Sequence, residues 1–320
     1  MWRSVQNGIE TARPFLMQMQ KWASLERVLQ KSQGQLHTQY EQSSFTATPL
    51  PNRPIKILSF NIQAGLPASG YVDYVRNGIR QIVPMADRAH LMRIAETIAD
   101  FDIVMLQEVD CGSIRSGFVN QLSYLADAAG FEFSHQQLNR DMGRFGQFSN
   151  GLLSRFLPNR IENHRLPGLR GRGAIIARYQ LQAHALRATD SRILTTDGGS
   201  GERNLTVVGL HLALSERARA RQIAYVLDRV RSEPNVIVMG DLNCCEQSAI
   251  NTALGDSSLE HVNYGMGTFP SWAPRKCIDH IWISPHIEVM HVEVLPTQLS
   301  DHCPLCASVC FPVSTFNVSM

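Results

Sequence analysis

Between residues 55 and 312 the apolar positions follow two patterns in turn. Short runs of β-branched and aliphatic residues alternate with longer stretches whose apolar positions fall three and four apart. The first pattern predicts strands and the second helices. Ile55, Ile57, Leu58 and Phe60 predict a strand ending at Asn61, and Gly65, Pro67 and Gly70 mark a loop running to about Pro84. Leu91, Ile94, Ala95 and Ile98 line one helix face. Residues 102–107 read as a buried strand delivering Glu108 at its end, and Phe118, Leu122, Leu125 and Ala129 as a helix stopped by Gly130. A polar, glycine-containing loop over 136–149 precedes a strand at 150–156. A loop rich in arginine (Arg160, Arg165, Arg170, Arg172) then leads to a strand at 174–177. Residues 205–210 form a strand ending at His211. Ser215 caps a helix with Ile223, Val226, Leu227 and Val230 on its apolar side and Arg219, Arg221 and Arg229 on its polar side. Val236, Ile237, Val238 and Met239 run into Gly240-Asp241-Leu242-Asn243. After them come a short helix near 248–254, a Gly/Pro-rich loop to Arg275, and strands at 278–284, 286–294 and 304–311.

The pattern changes before residue 55. Residues 1–54 are rich in Gln and Ser and close on a proline-rich segment, which is linker chemistry. Trp2, Val5, Ile9 and Ala12, then Trp22, Leu25, Val28 and Leu29, recur at helical spacing. The expectation is an amphipathic leader over 1–54, packed on the domain or on a second copy, with a membrane-surface anchor or organelle presequence as the alternative. A body over 55–312 and a tail over 313–320 complete the division.

A chain of 320 residues, 44% hydrophobic and 18% charged, has enough apolar material for one large layered α/β domain. A net charge of +2 excludes the global field of a nucleic-acid coat protein but leaves room for a local basic groove. No apolar run is long enough to span a bilayer, and none has the form of a secretory signal. Seven cysteines at irregular spacing argue for reduced thiols in the cytoplasm rather than a secreted disulfide framework. Cys303, Cys306 and Cys310 fall in an apolar terminal strand and read as buried thiols, not zinc ligands.

Polar groups gather where the apolar runs stop: Asn61, Glu108, Asp241 with Asn243, and Ser300-Asp301-His302. In α/β proteins strand ends carry chemistry, because the sheet fixes the backbone while the following loop exposes the side chain. Oxygen-rich donors suit Mg²⁺ or Mn²⁺ better than zinc, which makes Glu108, Asn61 and Asp301 the metal candidates. Asp241 is placed to take a proton from an attacking water and Asn243 to orient it. His302 would bind phosphate oxygens and spread their developing charge. On a regular strand, however, it would point away from Asp301.

Ser59-Phe60-Asn61, Leu106-Gln107-Glu108, Gly240-Asp241-Leu242-Asn243, Ile278-Asp279-His280 and Ser300-Asp301-His302 stand in the order and rough spacing of one family. Over about residues 55–312 the chain resembles the endonuclease/exonuclease/phosphatase superfamily. The resemblance implies a four-layer α/β sandwich, with two facing mixed sheets flanked by helices. It also implies a divalent-metal-dependent phosphoester hydrolase in which water attacks phosphorus in line. It further casts Asp279 as the carboxylate orienting His302, His211 as the group protonating the leaving oxygen, and Asn150 as a phosphate-side asparagine. Gln63 and Asp110 stand where the abasic-site repair branch has an aspartate and a lysine, and His211 replaces a tyrosine of that branch, which points away from DNA repair. The expected substrate is a phosphoester, either nucleic acid or a small or lipid phosphodiester, with no obligate protein partner evident. Trp272 and Phe269 offer an aromatic lip for either. A sphingomyelin-type phosphodiesterase and a non-catalytic binding module on the same fold are the alternatives.

Overall fold

The computed structural model describes residues 50–51, 53–66, 88–168, 171–181, 204–245, 253–254 and 256–311. The expected helices of the leader, the loop from Pro67 to Pro84, most of the short helix at 248–254 and the 313–320 tail lie outside these residues. Among the described residues are strands β1 (Ile55–Asn61), β2 (Ile103–Asp110), β3 (Phe133–Asp141), β4 (Gln147–Ser154), β5 (Arg160–Arg165), β6 (Gly173–Gln180), β7 (Asn204–His211), β8 (Val236–Asp241), β9 (Glu260–His261), β10 (Asp279–Ile283), β11 (Glu288–Val294) and β12 (Leu305–Cys310). Helices α1 (Arg88–Ile98), α2 (Gln121–Ala129) and α3 (Glu216–Val230) accompany them.

The strands form two six-stranded sheets, ordered β11-β12-β1-β2-β4-β3 and β5-β6-β7-β8-β10-β9. Each is mixed: β1 with β2 and β7 with β8 run parallel, and the other pairs antiparallel. Period-two alternation assigns the apolar side chains to layers. Ile55, Ile57, Ile103 and Met105 of the first sheet meet Ile175, Val207, Ile237, Met239 and Ile281 of the second. Leu58, Phe60, Val104 and Leu106 turn outward onto α1 and α2, while Val208, Val238 and Trp282 turn outward onto α3. The result is a four-layer sandwich. The sheets approach so closely at Gly209 that a Cβ there would lie 2.2 Å from the Met105 sulfur.

Several elements differ from the sequence expectation. The polar stretch 136–149 is not a loop: β3 and the start of β4 occupy most of it. Residues 160–165 likewise form β5. Both β3 and β5 are sheet edges, where polar side chains are favoured and the apolar alternation that reveals a strand fades. β2 does not stop at Glu108. It passes through a bulge between Leu106 and Val109 and continues to Asp110. Phe118 lies before α2, whose cap is Asn120, with its side chain accepting from the Ser123 N–H. Arg219 is not on a polar face: it is buried, donating to the Leu214 and Ala213 carbonyls. Asp301 and His302 sit in a bend ahead of β12, so strand alternation does not separate them.

The turn after β2 is organised by Asp110. Its carboxylate accepts from the backbone N–H of Gly112 and Ser113, from the hydroxyls of Ser113 and Ser116, and from Arg115 Nε. Burial alone would raise the Asp110 pKa, but the Ser113 hydrogen bonds and the Arg115 charge hold it below the ordinary aspartate range. Gln121 joins this turn to the end of β1, accepting from Asp110 N–H and donating to the Ala64 carbonyl. Because Arg115 is as buried as Asp110, Asp110→Ala strands a cation. It should destabilise the protein by about 3–5 kcal/mol, read as a lowered denaturant midpoint. A loss within about 0.5 kcal/mol, ordinary for surface substitutions, would show that the turn is held otherwise.

Candidate active site

The strand ends converge at one end of the sandwich. In the second sheet His211, Asp241 and Asp279 are direct neighbours on β7, β8 and β10. The first sheet contributes Asn61 and Glu108 from β1 and β2. Gly240 makes the delivery of Asp241 possible: its φ is +149°, and a Cβ there would lie 2.0 Å from the Leu210 carbonyl oxygen. Glu108, at φ 56°, and Asn243, at φ 52°, are held in the left-handed region, where non-glycine residues are uncommon. Both border the Asp241 cluster, Glu108 through Asn61 and Asn243 directly, and such conformations cluster at functional sites.

Asp241 is the hub. Its Oδ1 accepts from Asn243 N–H at 2.9 Å, and its Oδ2 lies 3.1 Å from Asn61 Nδ2, 3.4 Å from His211 Nε2 and 3.9 Å from His302 Nε2. Asn61 Nδ2 also reaches Glu108 Oε1 at 3.3 Å, and its Oδ1 accepts from Gln63 N–H. His302 Nδ1 donates to Asp279 Oδ2 at 2.8 Å, and the Thr268 hydroxyl donates to the same oxygen at 2.5 Å. Arg172 Nη1 donates to His211 Nδ1 at 3.3 Å. Asn243 Nδ2 donates to the Leu212 carbonyl. Asn150 is buried with Nδ2 on the carbonyl of Gly173, the residue after Arg172, while its Oδ1 has no hydrogen bond.

The comparisons fit this geometry. Residues 58–302 match the model of the Endonuclease/Exonuclease/phosphatase family. The chain belongs to that family. The family is one of phosphoester hydrolases, and this chain is an enzyme of that class. No sequence match was found among curated proteins. Among solved structures, an endonuclease/exonuclease/phosphatase from Beutenbergia cavernae superposes with a TM-score of 0.58 at 18% identity, covering 81% of this chain and 72% of that one. The mannosyl-6-phosphatase of Bacteroides thetaiotaomicron gives 0.56 at 18%, covering 80% and 100%. The human Nocturnin catalytic domain with bound sulfate gives 0.57 at 19%, covering 84% and 98%. At these identities the likeness is one of fold.

In this member of the family two imidazoles face one carboxylate with opposite electrostatics. Burial drives the His211 pKa down to about 4; Asp241 opposes the shift and Arg172 adds to it. Burial also disfavours the cation at His302, but the charge and hydrogen bond of Asp279 overcome it and lift the pKa to about 10. Asp241 is itself raised by burial. Asp301 is raised by burial and by the nearby Glu108 charge, with His302 opposing. Of the four loop arginines, Arg172 lines the cleft, where burial lowers its pKa against the pull of Glu108 and Asp241. Arg160 pairs with Glu162 on the second sheet's edge, Arg165 is exposed, and Arg170 lies outside the described residues.

Asn61, Glu108, His211, Asp241, Asn243, Asp279, Asp301 and His302 fall in or beside one cluster. Thr268 and Arg172 join it unannounced: Thr268 lies in a loop with no motif around it, and Arg172 was one of four equivalent arginines. Phe269 packs its ring 5.1 Å from that of His302. Thr268→Val should lower turnover about tenfold, the value of one charge-assisted hydrogen bond of about 1.4 kcal/mol, with KM unchanged and Thr268→Ser restoring the rate. Equal rates for Thr268→Val and the wild type would remove Thr268 from the support of Asp279.

Proposed function

We propose that the chain is a divalent-metal-dependent hydrolase of phosphodiesters or phosphomonoesters acting by in-line attack of water. The observation that carries this reading is the opposed pair of imidazoles around the buried Asp241 carboxylate, beside Glu108 and Asp301. Glu108 is half-buried, Asp301 is buried, and the Asp301 carboxyl pKa is raised by burial and by the Glu108 charge. That is the oxygen donor pair a hard cation would neutralise, and Asn61, whose Nδ2 now lies on Glu108 and Asp241, would join it by presenting its amide oxygen. Glu108, Asn61 and Asp301 would hold Mg²⁺ or Mn²⁺. When bound, the ion would polarise a phosphoryl oxygen and neutralise the leaving oxygen.

The chain's own groups supply the rest. Asp241, made more basic by burial, takes the proton of the attacking water, with Asn243 beside it to orient that water. His302 is the cation of the site. With Nδ1–H fixed on Asp279, its Nε2–H is free to donate to a phosphoryl oxygen as charge grows there. His211 differs from the role the resemblance implies. It is neutral, with Nδ1 accepting from Arg172, so Nε2 carries its proton toward Asp241. It acts as a neutral hydrogen-bond donor rather than as an acid for the leaving group. Asn150 retains its second Nδ2 hydrogen for phosphate. The cleft faces an anionic substrate through Arg172 and, beside Phe269, Lys276. Nucleic acid and small or lipid phosphoesters both meet that description. The seven cysteines form no disulfide, which supports a cytoplasmic setting. No helix among the described residues is long and apolar enough to cross a membrane.

The deciding experiment is a hydrolysis panel with Mg²⁺ and Mn²⁺ covering a bis-aryl phosphodiester, an aryl phosphomonoester, plasmid DNA, RNA and sphingomyelin. Activity should vanish with a chelator and return with either ion. Full turnover by metal-free protein would sink the metal assignment. Glu108→Ala should weaken metal affinity without unfolding the domain. Asp279→Asn and His302→Ala should each lower turnover by about 10²-fold or more, and the double variant should lose little beyond the worse single one. Multiplicative losses would show that Asp279 serves something other than His302.

A further inference from the structure

On the opposite face of β10 from Asp279 lies a second cluster that the hydrolytic chemistry does not use. His261 of β9, Cys277 just ahead of β10 and His280 on β10 bring one nitrogen or sulfur each within 4.8 Å of the others. His261 Nε2 is 2.9 Å from His280 Nδ1, and Cys277 Sγ is 3.8 Å from the same Nδ1. We propose that these three side chains form a binding site for a borderline-soft divalent cation of the zinc class, separate from the catalytic centre.

Three observations support it. The spacing comes first: tetrahedral zinc at about 2.0–2.1 Å from nitrogen and 2.3 Å from sulfur sets ligand atoms about 3.3–3.6 Å apart, and the two separations at His280 Nδ1, 2.9 and 3.8 Å, bracket that range, with the third pair within 4.8 Å. The second is protonation. His280 Nε2 donates to the Cys244 carbonyl at 2.9 Å, which leaves the Nδ1 lone pair facing the cluster, and a carbonyl holding the far nitrogen is the usual support of a metal-binding histidine. The third is the surroundings. Asn263 Nδ2 donates to Cys277 Sγ at 3.3 Å, the thiol while protonated has the Asn263 and Asp279 carbonyls at 3.8 and 3.7 Å as its acceptors, and the Trp282 ring stacks on His261 at 4.7 Å and fixes its plane. A set of two nitrogens and one sulfur selects zinc over Mg²⁺ or Ca²⁺. His261 is only half-buried, so solvent reaches the cluster from its side and supplies the fourth position.

Binding moves protons in a defined way. The His261 proton shifts from Nε2 to Nδ1, the Cys277 thiol loses its proton to solvent, and one proton is released per metal bound. The ion would tie β9 to β10 and close the base of the 262–278 loop, which carries Thr268 and Phe269 to the catalytic pocket. The site is thus structural in character.

The test is titration of the full-length protein, stripped of metal and then kept in excess Mg²⁺, with Co²⁺ as the spectroscopic probe and Zn²⁺ as competitor. One equivalent should produce a thiolate-to-cobalt charge-transfer band, and Zn²⁺ should abolish the band and raise the melting temperature. Cys277→Ser should lose the band with its far-ultraviolet circular dichroism unchanged. His261→Gln should bind at least about tenfold more weakly, and Glu108→Ala should keep the band in full. Absence of the band in the wild type, its persistence in Cys277→Ser, its loss in Glu108→Ala, or unchanged affinity in His261→Gln would overturn the proposal. His261→Gln decides the matter if Cys277→Ser does not fold.

Discussion

The carboxylate of Asp241 is almost wholly withdrawn from bulk solvent, with 2% of its surface exposed. An isolated carboxylate so placed would cost several kcal/mol, and the fold tolerates it only because hydrogen-bond donors arrive from every side. Asn61 comes from the first sheet. His211 and Asn243 come from the second sheet and the loop after it, while the His302 imidazole, held by Asp279, faces the same carboxylate at 3.9 Å from the bend ahead of β12 in the first sheet. Closing the sandwich and building the site are therefore one event. The close approach of the sheets at Gly209 and the glycine-only backbone at Gly240 are conditions for it as much as the apolar core is.

Around that carboxylate the chain uses one residue type in two ways. His211 and His302 are both buried, and burial pushes both toward the neutral form. Their partners separate them: Arg172 adds to the effect at His211, while Asp279 reverses it at His302. Opposite shifts at two buried imidazoles leave the cluster with one weakly and one strongly basic ring beside the same carboxylate.

The parts of this arrangement that were legible in the sequence are those with a covalent signature. Apolar alternation marked β1, β7, β8, β10 and β12 because their side chains are buried on both faces between a sheet and a helix layer. Polar residues at the ends of those runs then marked Asn61, Glu108, His211 and Asp241. Edge strands left no such mark: β3, with Gln136, Gln137, Asn139 and Arg140, and β5, with Arg160, Glu162, Asn163 and Arg165, have the composition of loops. Bulges are equally silent, since the one at Glu108 depends on register with β4 and not on local residue type. Thr268 and Arg172 could not be singled out because their meaning lies in what they touch across the fold.

Strand β10 shows how much one short element can carry when alternation is strict. Asp279, Ile281 and Ile283 face the interior between the sheets, where the first holds His302 and the others pack the core. His280 and Trp282 face the other way, one toward the His261 and Cys277 side chains and the other stacked on His261. A one-residue slip in the pairing of β10 with β8 would exchange the two sets, taking Asp279 from His302 and placing Ile281 outside. The register Asp279↔Asp241 is consequently fixed by core burial along the same strand that delivers the Asp279 carboxylate to His302. Packing specifies the chemistry here, since the apolar residues that choose the register also decide which polar residue reaches the pocket.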